Sequence, residues 1–152
     1  MPNLVLKVGD KAPDFSLLDQ DGARVGLSTF LGKQPVVLLF YAGDLLPGCA
    51  MQLCSIRDEW AAFQKANIAV FGVNPAPAES HKQFLKRCNI PFPLLIDPDK
   101  QTCENYQATY SLFHLRLVRR TVVGIDRDGV VRFFKHGLPR AAEVLKIMQR
   151  YA

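Results

Sequence analysis

Apolar and polar positions along the chain follow two rhythms, one strand-like and one helical. Residues 15–18 and 24–27 flank Asp19-Gln20-Asp21-Gly22, the form of a small hairpin with an Asp-Gly turn. Residues 35–41 (PVVLLFY) make an unbroken apolar run opened by proline, which fits a central strand covered on both faces. Over residues 47–66, Leu53, Ile56, Trp60 and Phe63 step by 3, 4 and 3, the spacing of one helix. Pro47 suits its first turn, where a missing N–H costs nothing. Residues 68–73 read as a second buried strand, 79–88 as a helix, 92–96 as a short strand and 100–107 as a short helix. Residues 121–125 and 130–134 flank Asp126-Arg127-Asp128-Gly129, a strong hairpin signal. A last helix over 139–151 carries Ala141, Val144, Leu145, Met148 and Tyr151 on one face.

Strands that alternate with helices predict parallel pairing in the first half, and the late hairpin adds antiparallel strands. The expected fold class is α/β, a mixed central sheet flanked by helices with an N-terminal β-hairpin. No repeat, low-complexity stretch or linker interrupts the 152 residues, so one domain over 1–152 is expected. Apolar residues at 49% and charged residues at 22% exclude a disordered chain. The longest apolar run, 36–43, is far short of the ~18–20 residues that span a bilayer. The first seven residues show no basic segment leading into a long apolar one, so no signal peptide, no membrane partner and a cytoplasmic location are expected. Nineteen Lys and Arg against fourteen Asp and Glu give +5, spread along the chain apart from Arg116, Arg119 and Arg120. That is not the basic stripe of a nucleic-acid binder.

Four cysteines, Cys49, Cys54, Cys88 and Cys103, are too few for a disulfide scaffold at this length. Without a secretory signal they are expected to be reduced, which leaves catalysis, metal binding or packing. Cys49 falls just after the central strand, in the first turn of the expected helix. Unpaired N–H groups and the helix dipole favour a thiolate there, and a lowered pKa makes a thiol nucleophilic. Cys49 equally continues the apolar stripe of Leu53 and Ile56, as a small buried hydrophobe would. Cys54 lies five residues on. In an ideal helix that separates the Cα atoms by roughly 8–9 Å, beyond the ~7 Å limit of a disulfide. The pair can bond only if the first turn unwinds. A Cys-x4-Cys pair with His81, His114 and His136 scattered elsewhere does not make a four-ligand zinc site, so no metal is expected and the histidines read as surface or packing residues. No glycine-rich phosphate loop is present.

These motifs resemble the peroxiredoxins, in the bacterioferritin-comigratory-protein or PrxQ branch, along nearly the whole chain. Val8-Gly9-Asp10-Lys11-Ala12-Pro13-Asp14-Phe15 is similar to the opening motif, and residues 36–41 to the strand that ends in Phe-Tyr-Pro. Pro47-Gly48-Cys49 with Gln52 and Cys54 is similar to the active-site helix. Asn89-Ile90-Pro91-Phe92-Pro93-Leu94-Leu95-Ile96-Asp97 and Arg120-Thr121 ahead of Asp126-Arg127-Asp128-Gly129 resemble two later segments. The resemblance implies a thioredoxin-like fold and no cofactor. It implies Cys49 as the peroxidatic thiol, which becomes a sulfenic acid, and Cys54 as the resolving thiol. Arg120 would hold the thiolate and the peroxide oxygens. Arg119 is the rival neighbour, and strand alternation is expected to send the two to opposite faces. The implied pocket is Tyr41, Ala42, Leu46, Pro47, Gly48 and Gln52. Some members of the branch resolve from the helix after the second strand, which makes Cys88 the alternative resolving cysteine. Cys103 reads as structural. Implied partners are a peroxide substrate and thioredoxin or a similar dithiol reductant, with a monomer or homodimer both open.

Two positions depart from the Pro-x-x-x-Thr-x-x-Cys pattern: Ala42 stands for the proline and Leu46 for the threonine. Leucine offers no hydrogen bond and makes the pocket more apolar. Loss of one preorganised polar contact at a reacting centre costs ~100–1000-fold, so weakened peroxide reactivity is expected. Two other classes stay open: a thiol–disulfide oxidoreductase, against which Cys-x4-Cys rather than Cys-x-x-Cys counts, and a redox sensor or interaction module on the same fold.

Overall fold

The computed structural model describes residues 5–44 and 47–152, and at 47–50 the backbone alone. The chain opens with the expected hairpin, β1 (Ser16–Asp19) and β2 (Arg24–Gly26), turned at Gly22 with φ +82°. β3 (Val36–Phe40) leads to α1 (Pro47–Asp58) and α2 (Trp60–Lys65). Then come β4 (Ala69–Asn74), α3 (Ala78–Cys88), β5 (Leu94–Ile96) and α4 (Gln101–Asn105). A hairpin of β6 (Thr109–Leu112) and β7 (Leu115–Val118) precedes β8 (Thr121–Ile125), β9 (Val131–His136) and α5 (Ala141–Met148). Seven strands form one sheet in the order β2-β1-β5-β4-β3-β8-β9. β3, β4 and β5 pair in parallel, and β1, β2, β8 and β9 join antiparallel.

β3 sits between β4 and β8, and every residue in it is buried. Side chains in a strand point alternately to the two faces. Val37 and Leu39 accordingly join one core with Leu53, Ile56, Phe63, Phe84, Val144 and Met148, under the helices α1, α2, α3 and α5. Val36, Leu38 and Phe40 join a second core with Phe15, Leu27, Tyr106 and Val123. An apolar run without alternation is what two covered faces require.

The structure departs from the pattern at three places. The helix expected over 47–66 breaks at Glu59, whose backbone (φ −104°, ψ 14°) ends α1 and starts α2. Glu59 N–H donates three residues back to the Ile56 carbonyl, a tightened turn. The break shifts the helix at one residue only, so the 3-4-3 spacing runs through it undisturbed. Leu53 and Ile56 anchor α1, and Phe63 and the Trp60 ring, tilted against Phe92 with centroids 5.6 Å apart, anchor α2. The hairpin β6–β7 was not expected. Its turn residues, Phe113 and His114, both take positive φ (49° and 65°), where Asn or Gly is usual. Finally, His81 is fully buried in the first half of α3 rather than a surface or simple packing residue.

Gly72 shows how closely the sheet meets the helical layer. A Cβ there would lie 2.6 Å from Leu94 Cδ2 and 3.1 Å from Tyr41 Cε1. Gly72→Ala should therefore lower unfolding free energy by about 1–3 kcal/mol through overpacking. A urea unfolding midpoint unchanged from wild type would show that the sheet accommodates the methyl group.

Candidate active site

The segment that leaves β3 is tied down by one buried carboxylate. Asp44 Oδ1 accepts from the Tyr41 hydroxyl at 2.6 Å and from Asn74 Nδ2 at 3.4 Å. Its Oδ2 accepts from Ser80 Oγ at 2.6 Å and pairs with His81 Nδ1 at 2.8 Å. The other ring nitrogen, Nε2, lies 3.1 Å from the Leu95 carbonyl, which can only accept, so that nitrogen carries a proton. Arg87 Nη2 donates to the Asp44 main-chain carbonyl at 2.6 Å. Burial works against the charged form of Asp44, but the hydrogen bonds from His81, Ser80 and Tyr41 outweigh it and lower the pKa below 3.8. One carboxylate thus joins the end of β3 to β4 and α3.

Three residues beyond Asp44, α1 begins. Pro47, Gly48 and Cys49 are its first three residues, which puts the Cys49 backbone in the first turn, as the sequence pattern requires. Leu46 lies outside the described residues. Tyr41 is fully buried, with its hydroxyl on Asp44, so it supports the loop from below. Ala42 is exposed and lines a cavity of about 360 Å³ with Tyr110, Val118, Arg119, Arg120 and Gly137.

The two arginines are not separated by strand alternation. They form the connection between β7 and β8, and both line this cavity. Burial separates them instead: Arg119 is exposed and Arg120 half-buried. The Arg119 main-chain N–H donates to the Ala108 carbonyl and the Gly137 N–H donates to the Arg120 carbonyl, each within 2.8 Å, which fixes the backbone of the pair. Thr121 Oγ1 donates to the Arg119 carbonyl at 2.8 Å and meets His136 Nδ1 at 2.8 Å. Burial, reinforced by the Arg119 charge, lowers the His136 pKa below 6.5. Among the described residues, buried side-chain nitrogen or oxygen without a hydrogen-bond partner occurs at Arg120 Nε and at both amide atoms of Gln52. Such orphans are costly and call for a partner supplied from elsewhere.

Cys54, Cys88 and Cys103 are free thiols. Burial and the Asp97 carboxylate push the Cys103 thiol far up, which suits an inert packing residue. Cys54 and Cys88 are half-buried on neighbouring helices. Among the described residues no three His, Cys, Asp or Glu side chains converge on a metal position, and no helix is long and apolar enough to cross a membrane.

Residues 8–134 match the model of the AhpC/TSA family. The chain belongs to that family. A peroxiredoxin Q from Oryza sativa subsp. japonica is 39% identical over 145 residues, covering 93% of this chain and 66% of its own length. A peroxiredoxin Q from Populus jackii is 37% identical over 145 residues, covering 93% and 67%. The crystal structure of the peroxidoxin BcpB from Mycobacterium tuberculosis superposes with a TM-score of 0.85 at 28% identity, covering 95% of this chain and 97% of that one. The chain thus spans about two thirds of the length of its plant relatives. These likenesses place it in the peroxiredoxin Q/Bcp branch of the AhpC/TSA family, with a thioredoxin-like fold.

Sequence reasoning overlooked Asp44 and His81, because each finds its partners on distant segments of the chain. One signal was available: a charged residue, Asp44, inside an otherwise uncharged stretch between a buried strand and a helix start. Asp44→Asn should cost about 1.5–3 kcal/mol, the usual range for hydrogen bonds made to a charged group. The folded pKa of Asp44 lies below the unfolded 3.8, so its contribution is fully present above pH 3.8 and is lost as pH falls through the folded value. Urea titrations of both proteins should show their stabilities converging in that acid range. Parallel curves down to acid unfolding would show that Asp44 is not ionised in the fold.

Proposed function

We propose that this AhpC/TSA family protein is a thiol-dependent peroxidase that reduces hydrogen peroxide or organic hydroperoxides through Cys49. The Cys49 thiolate attacks one peroxide oxygen, the O–O bond breaks, and water or an alcohol leaves with a proton. The sulfenic acid on Cys49 then condenses with the Cys54 thiol, releasing water and forming a disulfide. Thioredoxin or a similar dithiol returns both thiols. The compartment we propose is a reducing one, the cytoplasm in the sequence reading, while the plant relatives are named chloroplastic.

The observation that carries this reading is where the unpaired polar groups fall. Arg120 Nε and the Gln52 amide are buried without partners, and both belong to the residue set that the motif singles out. A guanidinium N–H in that state suits a thiolate or a peroxide oxygen as its acceptor. The Cys49 backbone at the N-terminus of the twelve-residue α1 adds the positive end of a helix dipole. Family membership and the peroxiredoxin relatives support the same chemistry.

The proposal includes reduced reactivity, because Ala42 and Leu46 replace the motif proline and threonine. In a thioredoxin-coupled peroxidase assay, Cys49→Ser should abolish turnover, and retained turnover would overturn the reading. Leu46→Thr should raise the rate with hydrogen peroxide by ~100-fold, the value of one restored polar contact at a reacting centre. An unchanged rate in Leu46→Thr would show that the leucine is not the limiting departure.

A further inference from the structure

Two thiols away from the peroxidatic position meet between α1 and α3. Cys54 lies in the second half of α1 and Cys88 is the last residue of α3, and both pack against the same apolar core. The two thiols are close enough for Cys88 to act on Cys54 electrostatically. Arg57, three residues along α1 from Cys54 and so on the same side of the helix, donates from Nη1 to the Cys88 main-chain carbonyl. That bond clamps the C-terminal end of α3 against the face of α1 that carries Cys54. Both thiols are half-buried and free, on helices that this bond holds together.

The Cys49–Cys54 pair is placed differently. Five residues apart on an intact helix, its Cα atoms are roughly 8–9 Å from each other, so its disulfide exists only while the first turn of α1 is open. A Cys54–Cys88 disulfide needs no such opening.

Resting on the peroxidase reading above, we propose that Cys88 takes over the disulfide from Cys49 in a relay. The Cys88 thiol loses its proton to solvent, and its thiolate attacks Cys54 Sγ. A Cys54–Cys88 bond forms, the Cys49–Cys54 bond breaks, and the electron pair leaves on the Cys49 sulfur. One disulfide is consumed and one is formed, so no further oxidant enters. Cys88 sits against the part of α1 that carries Cys54 and Arg57, away from the first turn that carries Cys49, and this access directs attack to Cys54. The first turn of α1 can then re-form around a reduced Cys49, and its folding energy drives the exchange forward. The external dithiol meets its substrate as Cys54–Cys88, on the α1–α3 face rather than in the peroxide pocket. Cys88 thereby acts after a resolving cysteine instead of replacing one.

The test uses the full chain, one equivalent of hydrogen peroxide, alkylation at successive times, and trypsin. Cys49 and Cys54 share the tryptic peptide 34–57, and Cys88 lies on 88–100. The expected course is an internally bridged 34–57 peptide that gives way to 34–57 cross-linked to 88–100, with fragmentation placing the link on Cys54 and the alkyl group on Cys49. Cys88→Ser should lose the cross-link entirely and stop at the internal bridge. In wild type, an internal bridge as the end product with Cys88 alkylated overturns the relay, and so does a link between Cys49 and Cys88. Dimedone labelling of the Cys54→Ser, Cys88→Ser double variant separates the two levels. Cys49 sulfenate without the wild-type cross-link overturns the relay alone. Absence of sulfenate overturns the peroxidase reading and the relay with it.

Discussion

The Asp44 carboxylate organises everything around the Cys49 turn. It lies just past a fully buried strand and accepts from groups on β4 and α3, while its own carbonyl holds Arg87. A carboxylate buried in this way is unfavourable unless each oxygen finds donors, and here each finds two. The consequence is positional. The chain between β3 and α1 starts from a point that two other elements also define, and Leu53 and Ile56 seat α1 on the same core. Tyr41 extends the same constraint downward, since its ring fills the space against Phe84 at 5.8 Å and against the open Cα of Gly72.

Reactive groups are arranged about this fixed point on two sides. On one, Ala42, Arg119 and Arg120 line a cavity together with residues of β6, β7 and the turn after β9. On the other, α1 turns Cys54 and Arg57 toward the end of α3. In the proposed function the first side takes the peroxide, and in the proposed relay the second carries the thiol exchange. Helix α1 belongs to both, with Cys49 in its first turn and Cys54 five residues further on.

Much of this was legible in the chain itself. β3 announced itself by an apolar run without alternation, and α1 by Pro47 and the spacing of Leu53, Ile56 and Trp60, because those signals depend on neighbours in sequence. What escaped depends on neighbours in space. Nothing near Asp44 names His81 as its partner, and nothing near Cys54 names Cys88. The alternation rule misjudged Arg119 and Arg120 because they lie between strands, where it has no force. The β6–β7 hairpin stayed hidden behind Phe113 and His114, a turn built from residues that rarely make one. Cys49 was placed on its helix correctly because capping and dipole effects are local.

The interruption at Glu59 has a mechanical meaning. A continuous helix over 47–66 would couple any fraying at its N-terminus to Trp60 and Phe63, which are rooted in the core. Divided as it is, the layer contains a firebreak. α1 can lose its leading turn while α2 stays docked through the Trp60–Phe92 ring contact and the buried Phe63 ring. In the proposed cycle, the opening at Cys49 is thereby confined to a segment of at most twelve residues, so the first turn can open and close without wagering global stability.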